Sequence, residues 1–393
     1  MIQYLTRFSK SFIIQITLYL FVNALFILKY FPRSGASSSV LLAVYIIFVF
    51  LTVLLYKNNS GKIAEKKFQI AFWSLLILMI LVIVGSLISI DRYSVRVDRW
   101  SAVTFFLDNL FNGQYPYSAH THVSNTNYAS PFPVWHFINV PFYFLGDVGI
   151  GLIFFLLLTA FIIRYYFSDY RKSFFFLLML CLAPAYWWEV AVRSDSLSNA
   201  LLVFIVIVWF TKRNYKLSNN FWLSVIVCGL IASTRLSAIL PLALFFFKPY
   251  VQLPWKQKII FPLGVTIIIL LTFLPFIFWD TNNWIFFSRN PFMSQTSVGN
   301  PYLLLCMIIL GIIAALTWNN TRHFFSTVSI FLFIFVLSSQ ISLIFTRGIQ
   351  GSIFEDSLYD VSYFTLLLPY CLAFIADSIN QNKNINSYVP EKL

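Results

Sequence analysis

The stretch that decides the reading is 91–147, DRYSVRVDRWSAVTFFLDNLFNGQYPYSAHTHVSNTNYASPFPVWHFINVPFYFLGD. It is the longest segment of the 393-residue chain that does not read as an apolar run. It carries four of the 14 acidic residues (Asp91, Asp98, Asp108 and Asp147) and three of the four histidines. Chemistry is therefore expected here. The first question is what surrounds this stretch and which side of a membrane it faces.

The surroundings are apolar. The chain is 59% hydrophobic and 10% charged, with a mean hydropathy of +0.79. A soluble domain carries about 25% charged residues. Runs near 20 residues recur at about 11–30, 39–56, 69–90, 148–167, 173–188, 196–211, 221–234, 236–250, 258–279, 301–318, 324–345 and 361–377. Such runs predict an all-α polytopic membrane protein of about 12 transmembrane helices. A soluble fold would need a dozen buried helices with almost no polar face. Barrel strands are shorter and alternate, which excludes a membrane barrel. The 221–250 region, two short halves joined at Thr234-Arg235, reads either as two spans or as one broken hairpin. The expected organisation is a single membrane domain. It divides into an N-terminal two-span hairpin (1–68), a third span with the outer loop (69–147), the remaining spans (148–377) and a polar tail (378–393).

The net charge of +13 is explained by topology rather than by nucleic acid, which is not an expected partner. With a cytoplasmic N-terminus and alternating spans, the inner segments hold 18 basic and four acidic residues. The outer segments hold nine basic and ten acidic ones. The inside is then +14 and the outside −1, the pattern of the positive-inside rule. This places 91–147 outside and both termini in the cytoplasm, in a cytoplasmic (inner) membrane. Inner connections such as KNNSGKIAEKK and TKRNYKLSNN read as plain solvated turns, and the two sequons at Asn58 and Asn319 lie among them. The first apolar run lacks a small-residue cleavage site and reads as a retained span. Cys181, Cys228, Cys306 and Cys371 each fall in a separate apolar run, a spacing for buried packing rather than for a metal or redox pair.

Within the loop, Trp100, Val103, Phe106, Leu107, Leu110 and Phe111 recur at helical spacing. They predict an amphipathic helix from Asp98 to Phe111, lying in the interface with its aromatic face toward lipid. Asp98 stands at the N-cap position, and Asn112-Gly113 ends the helix. Pro116 pushes Tyr115 toward an extended conformation. Pro133 opens a second helix that runs toward Gly146. His136 sits near its start, where a structural role is expected.

An acid just beyond a span, then an amphipathic helix, G-x-Y-P-Y at Gly113–Tyr117, S-P-x-P at Ser130–Pro133 and P-F-Y-F-L-G at Pro141–Gly146 together resemble the GT-C superfamily of membrane glycosyltransferases. The nearest echo is the bacterial branch that uses polyprenyl-phosphate mannose. The resemblance covers about 91–147. It departs from the family in two ways: Asp91 and Asp98 each precede an arginine instead of another acid, and the loop follows the third span instead of the first. The second departure implies two extra N-terminal helices, or a 11–56 hairpin outside the core.

The resemblance implies transfer of a sugar from a polyprenyl-phosphate donor to an extracytoplasmic glycan, lipid-linked or protein hydroxyl. Such a transfer needs a carboxylate to take the acceptor's proton and cations to hold the departing phosphate. Asp98 and Asp91 are the candidate bases, Asp98 being favoured. Arg99, Arg193, Arg235, Arg289 and Arg347 are the candidate phosphate ligands. Tyr115, Tyr117, His120, His122, Trp135, Glu189 and Asp195 are candidates for holding sugar or acceptor. His120 and His122, two apart, are either loop histidines or part of a metal site, so a divalent metal is left open. Membrane charges so close together as Glu189, Arg193 and Asp195 are also expected to pair, Arg193 with Asp195 or with Glu189. Two other readings stand beside this one: a transporter or flippase of a lipid-linked glycan, and an O-antigen-type polymerase or ligase.

Overall fold

The computed structural model describes residues 9–31, 37–213, 215–296, 300–355 and 360–379. Asp356, most of the 378–393 tail and the charges Arg7, Lys383, Glu391 and Lys392 lie outside these residues. Among them the chain is helical, with one isolated bridge between His120 and Tyr128 in place of any sheet.

In chain order the helices are α1 (Lys10–Tyr30), α2 (Ser38–Asn59), α3 (Glu65–Ser89), α4 (Arg99–Phe111), α5 (Pro133–Phe144), α6 (Gly151–Phe167), α7 (Tyr170–Cys181), α8 (Pro184–Ala191), α9 (Asp195–Lys212), α10 (Phe221–Ala232), α11 (Ile239–Val251), α12 (Trp255–Ile277), α13 (Ile285–Ser288), α14 (Pro291–Thr296), α15 (Pro301–Thr317), α16 (Thr321–Ile349) and α17 (Leu368–Ser378). Eight elements are long and apolar enough to cross a membrane. The number rises to ten if α7 with α8, and 285–296 with α15, each form one bent span. All twelve apolar runs are helical, but 221–250 consists of two short helices, and 173–188 is bent by 63° where Pro184 opens α8. The protein is an all-α polytopic membrane protein.

α1 lies in the core. Gln15, Tyr19 and Asn23 recur every fourth residue and are all buried. Gln15 bonds Ser326 and Ser329 on α16, the Tyr19 hydroxyl donates to the Met179 carbonyl on α7, and Asn23 accepts from the Ala185 N–H on α8. Each interhelical bond of this kind is worth about 0.6 kcal/mol, reaching ~1.7. Of the two alternatives for the N-terminal spans, the 11–56 hairpin outside the core does not fit this burial. α1 is central, whereas α2 stands on the rim: 11% of its span is buried, against 83% for the span that ends in α17.

Polar contacts sort the connections into two ends. At one end Lys172 and Arg322 both bind Asp377, Lys212 reaches the Tyr166 carbonyl and Lys248 the Trp318 carbonyl. At the other, Lys29 binds Asp360, Arg235 binds Asp195, and the Phe132 and Val134 N–H groups donate to the Thr234 and Ser233 carbonyls. These are the two sets that alternation along the sequence gives.

The loop helix differs from its expected pose. Trp100, Val103, Phe106 and Leu107 on α4 are buried in the protein, so its aromatic face packs inward and not toward lipid. The physical reason is a ready partner: Phe106 lies flat on the His136 ring of α5, centroids 3.6 Å apart. Gly113, at φ +70°, ends α4 as its composition requires. Cys228 and Cys371 are buried as expected, but Cys306 is exposed on the outer face of α15.

Candidate functional site

Four elements meet where α4 starts: the end of α3, the α5–α6 junction, the bend from α8 into α9, and the tip between α10 and α11. The bend is tight. Arg193 takes a left-handed φ of +50°, held because the Arg193 and Ser194 N–H groups donate back to Val190 and Glu189. Such a conformation costs a non-glycine residue roughly 1–3 kcal/mol. The bend aims Glu189, Arg193 and Asp195 in three directions, so neither expected pair among them forms.

Each charge instead finds a partner from a distant segment. Arg193 binds Asp147 at 3.1 Å and donates to the Leu87 and Ile90 carbonyls at the end of α3. Two nitrogens of Arg235 bind a single oxygen of Asp195, Oδ2. Arg99, at the start of α4, donates to Ser194 and Ser362 and stands 4.0 Å from Glu189. Burial opposes the Arg99 charge, but Glu189, with Tyr363, Asp195 and Asp360 nearby, raises its pKa above the ordinary arginine value. Lys29 and Tyr30, from the end of α1, both donate to Asp360 beside this group. Burial opposes the Asp360 carboxylate, yet Lys29 and Arg99 hold its pKa below the usual value.

Between these pairs lies a cavity with room for about one water molecule, lined by Arg99, Trp135, Asn139, Arg193, Asp195 and Ser198 among others. Trp135, Arg193 and Asp195 are all more than nine-tenths buried. The indole Nε1 of Trp135, Nη1 of Arg193 and Oδ1 of Asp195 have no hydrogen-bond partner among the described residues. Glu189 is wholly buried, and both its oxygens lack a hydrogen-bond donor there. A buried polar atom left unpaired costs about 1–3 kcal/mol, so such a concentration at one cavity marks a place built for a polar guest.

The candidates named from sequence divide sharply. Arg99, Arg193, Arg235, Trp135, Glu189 and Asp195 gather at this site. Asp98 occupies the N-cap position of α4 without capping it; its carboxylate accepts from Asn127 at 3.1 Å in the surface of the loop. Asp91 is exposed, and its carboxylate accepts from the Tyr93 N–H. Tyr117 is buried against Phe106 and Phe276, and its hydroxyl donates to the Pro131 carbonyl. Tyr115 donates to the Arg289 carbonyl, while the Arg289 guanidinium covers the Tyr128 ring. Arg347 is exposed near the end of α16.

The two histidines do not act together. His120 is exposed and packs on Tyr128. His122 is pinned between Ser101 and the Val95 carbonyl and packs on Trp100. Among the described residues no group of three or more His, Cys, Asp or Glu is gathered as metal ligands would be, so the divalent metal left open from sequence finds no ligand set there. His136 is wholly buried, stacked on Phe106, with Nε2 donating to the Pro131 carbonyl. Burial, with the Arg235 charge behind it, lowers its pKa to about 3 against the pull of the Pro131 carbonyl, and the ring stays neutral.

Residues that the sequence did not single out also belong here: Lys29, Tyr30, Asn139, Ser194, Ser198 and Ser362. Lys29 carried one signal, being a basic residue at the outer end of an otherwise apolar run. Comparisons with protein-family models, curated proteins and solved structures find no match to this chain.

Proposed function

We propose that the protein is a membrane glycosyltransferase of the GT-C kind, moving a sugar from a polyprenyl-phosphate donor to a hydroxyl of an extracytoplasmic acceptor. The observation that carries this reading is the partly unpaired set of Arg99, Arg193 and Asp195 around one cavity under the outer loop, with Glu189 behind it at 4.0 Å from Arg99. Arginines in a dry site suit a phosphate that gains charge as it leaves, and a carboxylate suits the proton released by the acceptor. The site lies at the end of the helices, where a donor anchored in the membrane by its polyprenyl chain presents its phosphate.

The chain makes twelve passes in this reading. Its support is the tip Ser233–Arg235, which meets the loop at one end, while Lys248 meets Trp318 at the other; in this reading α10 and α11, 12 and 13 residues long, are two short passes between those ends. The charge count makes the loop end extracytoplasmic. The polar contacts of the site lie at the helix ends and not at mid-membrane, which favours transfer over transport of an intact lipid-linked glycan.

The test is transfer of radiolabel from synthetic polyprenyl-phosphate sugars to a membrane extract, comparing wild type with Arg99→Gln. We expect labelled product from the wild type and a loss of at least tenfold in the variant. Equal transfer by the two would remove Arg99 from the site, and no transfer with any donor would remove the function.

A further inference from the structure

Three residues lining the cavity each carry a buried polar atom with no hydrogen-bond partner among the described residues, and the three atoms differ in kind. Trp135 Nε1–H is a neutral donor, Arg193 Nη1 is a charged donor, and Asp195 Oδ1 is an acceptor. A phosphate offers only acceptors and would leave Asp195 Oδ1 unmatched and repelled. An ammonium offers only donors and would meet Arg193. A hydroxyl matches all three, because its oxygen accepts from Trp135 and Arg193 while its hydrogen points at Asp195. The available room, about one water molecule, is that of a single hydroxyl.

Asp195 is built for this orientation. Both Arg235 bonds fall on Oδ2, so the carboxylate is held by that oxygen, while Oδ1 carries no hydrogen bond among the described residues and Asp195 lines the cavity. Ser194, whose hydroxyl accepts from the Ser196 N–H and from Arg99, fixes the first turn of α9 that carries it. The loop acids Asp98 and Asp91 do not line this cavity, and each accepts from a neighbour within the loop, Asn127 and the Tyr93 N–H.

We propose that this cavity is the subsite for the acceptor hydroxyl, and that Asp195 is the residue that takes its proton. The inference rests on the glycosyltransferase reading and names its base. In the step, the acceptor O–H bond breaks and the proton goes to Asp195 Oδ1. The acceptor oxygen forms a bond to the anomeric carbon. The bond from that carbon to the phosphate oxygen breaks, and its electron pair leaves with the polyprenyl phosphate, next to Arg99 and Arg193. The proton passes later to solvent.

The test uses the full-length protein in the transfer assay. Asp195→Asn keeps the shape and an oxygen for Arg235 but removes the basic group. We expect the folded variant to lose at least 100-fold in transfer rate, as removal of a general base does. Added formate should restore part of the rate to Asp195→Ala by supplying a carboxylate to the vacated space. Retention by Asp195→Asn of more than a tenth of the wild-type rate overturns the assignment. Should the asparagine variant not fold, Trp135→Phe leaves the Arg235–Asp195 pair untouched. It should raise the KM for acceptor about tenfold with the KM for donor unchanged, and unaltered acceptor kinetics overturn the subsite. Each of these failures, in a wild type that transfers sugar, sinks the subsite alone. A wild type that transfers nothing sinks the function with it.

Discussion

Gly229→Ala and Gly264→Ala should each loosen the support of Arg235, and they should differ in how the damage is repaired. α10 and α12 cross at these two glycines. A Cβ built at Gly229 meets Cβ and Cγ2 of Ile268, both at 2.6 Å. One built at Gly264 meets Val225 Cγ1 at 2.7 Å, with its next neighbours at 3.7 Å or beyond. Carbon atoms rest about 3.5–4.0 Å apart, so each added methyl group sits ~1 Å too deep. Overpacking of this size costs about 1–3 kcal/mol. At Gly264 the obstacle is one terminal methyl group, and Val225→Ala removes it; the new alanine then fills part of the space. At Gly229 the obstacle includes the Cβ of Ile268, which Ile268→Ala retains. The double variant Val225→Ala/Gly264→Ala should therefore recover most of the loss, with a coupling above about 0.5 kcal/mol. The double variant Ile268→Ala/Gly229→Ala should stay low. Denaturant titration of the purified protein in detergent, followed by tryptophan fluorescence, reads these four together with the Val225→Ala and Ile268→Ala single variants that the coupling requires. Wild-type stability in both glycine variants, or equal rescue in both doubles, would refute this packing.

Three further outcomes follow from the placements. Asp98→Asn and Asp91→Asn should each transfer sugar within about threefold of wild type, since both acids lie in the loop surface; a 100-fold loss in either would return the base to the loop. Lys29→Met should lower stability by about 1.5–3 kcal/mol at neutral pH by removing a charge-assisted bond to Asp360. The Asp360 pKa is depressed on folding, so its contribution is full above about pH 4 and is lost as pH falls below that. The gap between wild type and Lys29→Met should accordingly be constant above that pH and close beneath it, and a gap that widens in acid would contradict the assignment. An impermeant thiol reagent added outside cells should label Thr126→Cys, in the exposed loop, and not Ser218→Cys, in an exposed turn at the opposite end; the reverse pattern would invert the topology.

Much of the architecture was legible because a membrane imposes one simple rule, an apolar run for each helix, and lets charge record sidedness. The two ends of the bundle were readable for the same reason. What the sequence hid was partner choice. Glu189, Arg193 and Asp195 lie within seven residues and look like each other's partners. The left-handed turn at Arg193 splays them, and their true partners come from 46 to 106 residues before and 40 residues after. The loop misled in a related way. α4 has the pattern of an interfacial helix, yet a helix with an apolar face cannot signal whether lipid or protein will cover it. Here His136 and its neighbours on α5 do. The resemblance in 91–147 named Asp98 and Arg99 side by side; Arg99 joins the buried charge cluster, whereas the Asp98 carboxylate accepts from Asn127. Asp195, the buried acid that lines the cavity, belongs to the bend between α8 and α9, which looked in sequence like an ordinary hairpin of spans.

The central claim is that the charge cluster breaks a sugar–phosphate bond, and the most direct measurement follows that bond in sealed proteoliposomes of the purified protein. The donor would carry a labelled sugar on a labelled polyprenyl phosphate, with a water-soluble hydroxyl acceptor on the loop side. The account predicts one free polyprenyl phosphate for each sugar appearing on the acceptor, with Arg99→Gln slow in both. Movement of the intact donor across the bilayer, with its sugar–phosphate bond unbroken and no sugar on the acceptor, would contradict it.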